Sequence, residues 1–93
     1  MGEDDRRGLA YVCLTEGAIQ LDAGRAKEAV ESLMPGLLLS QELDEPQLVT
    51  RFLSQLAAAH SMQHSTTTAI EFGLQALANA REQKDKYSEA VSA

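Results

Sequence analysis

The sequence predicts an all-α fold, and three observations carry that prediction. The composition is rich in Ala, Leu, Glu and Gln, with 4% aromatic residues and two prolines, a mix that favours helices over pleated strands. Apolar residues recur every three or four positions, as in Ala29, Val30, Leu33 and Leu37, which is the period of a helix face. The chain also reads as one module written twice at an offset of 40 residues, so that Ala18 meets Ala58, Ala29 meets Ala69, Glu31 meets Glu71, Leu37 meets Leu77 and Glu42 meets Glu82. Related pairs fall between them: Gly17 with Ala57, Val12 with Phe52, Cys13 with Leu53, Val30 with Ile70 and Gly36 with Ala76. A repeat of this period is the mark of a solenoid, whose units bury their apolar faces by stacking on one another.

The first helix is expected to start near Asp4 or Asp5, whose carboxylates can accept from free N–H groups, and to run to about Asp22. Its inward stripe reads Leu9, Val12, Cys13, Gly17 and Gln20 or Leu21. Gly24 permits the left-handed backbone that ends a helix. A second helix follows from about Ala26, with Ala29, Val30, Leu33, Leu37 and Leu38 at helical spacing. Pro35 lies inside it, removing one N–H and crowding the carbonyl of Glu31; the reading is a bent continuous helix, with a break at Met34-Pro35-Gly36 as the alternative. Asp44-Glu45-Pro46-Gln47 is the clearest start signal, with Asp44 as cap, Pro46 in the first turn and Gln47 reaching back. The third helix then runs to about Met62 and turns Val49, Phe52, Leu53, Leu56, Ala57 and Ala59 inward. Ser65 or Thr66 opens a fourth, with Ala69, Ile70, Phe72, Gly73, Ala76, Leu77 and Ala80 inward, and Asp85 begins a fifth segment.

These residues resemble a known family, the tetratricopeptide repeats. Its motif has a small residue in the middle of helix A, a glycine or polar residue at the turn, an alanine early in helix B followed by a β-branched residue, and a small residue about seven positions later. Those places are Gly17, Gly24, Ala29, Val30 and Gly36 in the first unit, and Ala57, His64, Ala69, Ile70 and Ala76 in the second. The 40-residue unit is similar to the extended variety of the repeat. The sequence departs from the motif where Cys13 and Leu53 replace an aromatic, where Glu16 replaces a leucine, and where Pro35 enters helix B.

The resemblance implies a right-handed helical-hairpin solenoid of two repeats plus the start of a third helix A. Its expected divisions are a flexible N-terminus over 1–8, repeats over 9–44 and 45–84, and the start of a following or capping helix over 85–93. Since three or more units are usually needed for stability, the chain is expected to be a fragment or to complete its stack by self-association.

In the family, one face of the A helices forms a groove for a peptide or partner helix. Carried onto this chain, the groove comprises Tyr11, Leu14, Thr15, Ala18 and Leu21, then Arg51, Ser54, Gln55, Ala58 and Ser61. The subset of the family that clamps a terminal carboxylate uses several basic and amide groups, and Arg51 alone does not supply them. The implied function is non-catalytic protein binding, as a scaffold or adaptor. The alternatives are a ligand-sensing segment of a larger regulator and a self-associating structural repeat held by Leu38, Leu39 or the open last helix.

Fourteen acidic against eight basic residues give a net charge of −6, and the cations are scattered, so neither nucleic acid nor an anionic membrane is an expected partner. A single cysteine forms no internal disulfide, which suits a reducing cytoplasmic or nuclear location. No run reaches the ~18 apolar residues of a membrane span, and the charged start lacks the apolar core of a signal peptide. His60 and His64 stand four apart but have no glutamate between them, and a surface pair near a turn explains them better than a metal site. Cys13 lies on the apolar stripe, where an inert thiol is expected. No nucleotide-binding loop or nucleophile elbow is present, so neither a cofactor nor catalysis is expected.

Overall fold

A computed structural model describes the backbone of residues 3–92 and the side chains of residues 5–83. Four α-helices follow one another: α1 (Glu3–Asp22), α2 (Ala26–Glu42), α3 (Pro46–Met62) and α4 (Thr66–Ser92). No strand occurs among the described residues. Each helix packs on the next, and α1 also touches α3, whereas among the described residues α4 rests on α3 alone. The result is a slab of 46 × 35 × 18 Å, about two helix layers thick.

The helices are joined by three copies of one turn. In the first, Gly24 N–H donates to Leu21 O at 3.0 Å and Arg25 N–H to Gln20 O at 2.8 Å. In the second, Asp44 N–H donates to Gln41 O at 3.1 Å and Glu45 N–H to Ser40 O at 3.2 Å. In the third, His64 N–H donates to Ser61 O at 3.1 Å and Ser65 N–H to His60 O at 2.9 Å. This is the Schellman closure of a helix C-terminus, and it places one residue of each turn in the left-handed region: Gly24 at φ 75°, Asp44 at 53° and His64 at 62°. The sequence repeats every 40 residues, but the backbone repeats every 20, from residue 24 to 44 to 64.

Asp44 is therefore not the cap of α3. It is the left-handed residue that ends α2, the residue at the α3 cap position is Glu45, and no side chain caps the helix. The Glu45 carboxylate instead pairs with Arg7 of α1 at 2.6 Å. Helix α1 is formed from Glu3, close to the expected start at Asp4 or Asp5, so residues 3–8 belong to the helix and not to a flexible segment over 1–8. Met1, Gly2 and Ala93, assigned above to the terminal segments, lie outside the described residues. Helix α2 passes through Pro35 unbroken, which removes the alternative of two short helices. Helix α4 likewise continues through Asp85 to Ser92, in place of a new segment beginning there.

The core is centred on α2 and α3. Ala29, Leu33 and Leu37 of α2 meet Leu48, Phe52, Leu53, Leu56 and Ala59 of α3, with Ala10 and Leu14 from α1 and Ala76 from α4. Two glycines let the backbones come close. A Cβ on Gly17 would collide with the Leu33 side chain, 2.6 Å from its Cγ, and one on Gly36 would collide with the Phe52 ring and lie 2.8 Å from Cys13 Cβ. Ser40 is fully buried and donates its hydroxyl to Leu37 O at 2.8 Å, which satisfies it inside the helix.

Several residues expected inward are exposed: Leu9 and Val12 in α1, and Ile70, Leu77 and Ala80 in α4. Ala10 and Leu14 take the inward places in α1. Every one of these reversals lies on an end helix. The same repeat positions are covered in α2 and α3, because each of those has a helix on both sides, whereas α1 and α4 lack one neighbour. Leu38 is exposed while Leu39 packs against the core, as expected for leucines that cannot all share one face.

Candidate interaction surfaces

The expected groove residues divide between α1 and α3, which lie against each other. Tyr11 and Thr15 are exposed on α1, with Ala18 half-buried below them. Arg51, Ser54, Ala58 and Ser61 are exposed along α3. Leu14 is different: it is buried in the core and offers no surface to a partner, because the stripe that α1 turns to its neighbours runs through Ala10, Leu14 and Gly17.

Small side chains dominate the α3 part of this surface, and Tyr11 and Arg51 are its two large groups. The hydroxyl of Thr15 donates to Tyr11 O at 2.9 Å within its own helix, so its proton is already engaged. At the α1–α3 seam, Gln55 lies over Gly17, where its Oε1 would be 3.2 Å from an added Cβ. The Oε1 atom of Gln55 is buried there without a protein donor, as is that of Gln20 elsewhere on α1. Sequence reasoning placed Gln55 on the groove but gave no sign that its amide is turned into the seam.

A second feature was not foreseen. An open cleft of about 380 Å³ lies between α2, α3 and α4, lined by Gln41, Val49, Leu53, Gln75, Asn79 and Glu82 among others. Among the described residues α2 and α4 both pack on α3 and make no contact with each other, which leaves the cleft open. None of the expected groove residues lines it. Beside it, Asn79 Nδ2 donates to Pro46 O at 2.8 Å and to Thr50 Oγ1 at 2.6 Å, while Gln83 Nε2 reaches the same hydroxyl at 3.2 Å. This polar clasp ties α4 to the first turn of α3. Its one sequence signal is that Asn79 stands where the first unit has Leu39.

Chemically reactive side chains are sparse. Burial raises the pKa of the Cys13 thiol, and the Glu16 carboxylate raises it further, so the thiol stays protonated and weakly nucleophilic near neutral pH. The two histidines are separated in role as well as place. His60, on the last turn of α3, is half-buried and stacks on Phe72, with ring centroids 5.3 Å apart and planes at 10°, so it is not the simple surface residue expected. His64 occupies the left-handed turn. Among the described residues no group of three His, Cys, Asp or Glu side chains is placed to hold a metal ion. Among them, too, no helix is long and apolar enough to cross a membrane.

Compared with known proteins, the chain matches no family model, no curated protein and no solved structure.

Proposed function

We propose that the chain is a non-catalytic protein-binding module of tetratricopeptide type, acting as a scaffold or adaptor. Its working surface is the α1–α3 face. The observation that carries this reading is that Tyr11 and Thr15 of one helix, and Arg51, Ser54, Ala58 and Ser61 of another, are exposed on two helices that pack together. The turn of one repeat and the turn of the next have matching hydrogen bonds, which supports reading the fold as stacked hairpins.

The occupant this surface fits is an extended peptide or a slender helix. Small residues on α3 leave room for a backbone, Tyr11 offers a flat apolar ring, and Arg51 a cation for a carboxylate of the partner. Helices formed in advance lose little entropy on docking, which favours binding by a short contact surface.

The experiment is a capture from lysate by the wild-type chain and by an Arg51→Glu/Tyr11→Ala double variant, followed by titration of the recovered partner. Removing one aromatic and reversing one charge should weaken binding by at least about tenfold. Equal recovery by both baits would rule out this face.

A further inference from the structure

The two end helices expose apolar stripes that are the two halves of an interface already present inside the molecule. On α1 the stripe is Leu9, Val12 and Ile19; on α4 it is Ile70, Leu74 and Leu77, spaced four and three apart along one face. Moved forward by the 40-residue repeat, Leu9, Val12 and Ile19 become Val49, Phe52 and Ala59 of α3. Moved back, Ile70, Leu74 and Leu77 become Val30, Met34 and Leu37 of α2.

Exposure shows what covers these positions. Val12 and Ile19 are 51% and 59% exposed, yet Phe52 and Ala59 are fully buried. Leu77 is 49% exposed, yet Leu37 is 5%. The central helices differ from the end helices in the contacts that α3 makes with α2 and α1, which bury Phe52, Ala59 and Leu37 and cover Val30 and Val49 in part, while Met34, the equivalent of Leu74, stays 37% exposed. At the centre of the α2–α3 contact the Phe52 ring lies over Gly36, where no Cβ fits. The corresponding end residues are Val12 and Ala76. Ala76 is itself 7% exposed and packed in the core, so the open part of the α4 face is the stripe of Ile70, Leu74 and Leu77.

We propose that this chain assembles head to tail, the α1 face of one copy docking on the α4 face of the next in the geometry that α3 adopts on α2. The contact is heterologous, so each added copy presents a free face to the next and the assembly is not a closed two-fold dimer. One residue opposes it. Glu16 stands where α3 carries the fully buried Leu56, so docking must desolvate or displace a carboxylate, which keeps the association weak. The proposal shares no residue with the α1–α3 peptide surface, and either can fail without the other.

Sedimentation of the 93-residue chain and three variants tests it. Wild-type mean mass should rise with concentration. Val12→Glu and Leu77→Glu, each at a half-exposed position, should be helical and monomeric alone. Mixed in equal amounts they should form a one-to-one dimer, since each retains the face the other has lost. Glu16→Leu, which restores the residue of the internal interface, should tighten assembly at least about tenfold. A wild type that stays monomeric to about 1 mM overturns the proposal. So does a mixture that stays monomeric, or a Glu16→Leu variant that associates no more tightly than wild type. If either acidic variant loses helicity, Ile19→Lys and Leu74→Lys serve as the pair.

Discussion

At the scale of single residues, the informative positions are those where a side chain would not fit. Gly36 lies against the Phe52 ring and Gly17 against Leu33, while a Cβ at Gly73 would meet nothing within 4 Å. The same substitution should therefore have opposite signs. In Gly36→Ala, displacing a rigid buried ring costs about 1–3 kcal/mol, and helix propensity returns only about 1, so the variant should melt lower. Gly73→Ala has the propensity gain without the clash and should stabilise by up to about 1 kcal/mol. Urea denaturation of the two variants checks this, and equal shifts would contradict the close approach at Gly36. Gly36 is legible in the sequence as a small-residue place of the repeat. That Phe52 fills the space above it is not, since nothing local links two residues on different helices.

At the scale of elements, the three turns are one structure made from three sequences. Gly24, Asp44 and His64 all adopt positive φ, and only glycine does so without strain. Asp44→Gly and His64→Gly should each raise stability by about 0.5–1 kcal/mol, once the greater freedom of glycine in the unfolded chain is subtracted. Gly24→Ala should lower it by about 1 kcal/mol or more. Thermal melts of the three variants in one buffer give the comparison, and a loss in both glycine variants would remove the shared-turn account. Sequence reading found Gly24 because glycine signals the left-handed turn. It misread Asp44 as a cap because aspartate serves both roles, and the choice depends on whether α2 has already ended. Helix α2 continues through Pro35 for a related reason: the proline is exposed, while Leu33, Gly36 and Leu37 on either side are anchored in the core.

At the scale of the whole molecule, the chain is a linear series in which each helix depends on its sequence neighbours. Its core is concentrated in α2 and α3, and Phe52 is the largest fully buried side chain among the described residues. Phe52→Ala should cost about 3–5 kcal/mol. Against a total of about 5–15 kcal/mol for folded domains, and a small chain at the low end, that loss should leave the protein largely unfolded at 37 °C. Far-ultraviolet dichroism during denaturation measures it. A loss below ~1 kcal/mol would mean that the core lies elsewhere.

The sequence by itself determined the all-helical class, the approximate limits of the first three helices and the start of the fourth, because periodicity and turn residues act locally. It also marked Ala29, Leu33, Leu37, Phe52, Leu53, Leu56, Ala59 and Ala76 as apolar and inward, and these are buried. Only the tertiary structure decided which inward positions have a partner. Leu9, Val12, Ile70 and Leu77 carry the same pattern as their buried equivalents and remain open, since burial depends on a neighbouring helix and the pattern of a single helix cannot say whether one is there.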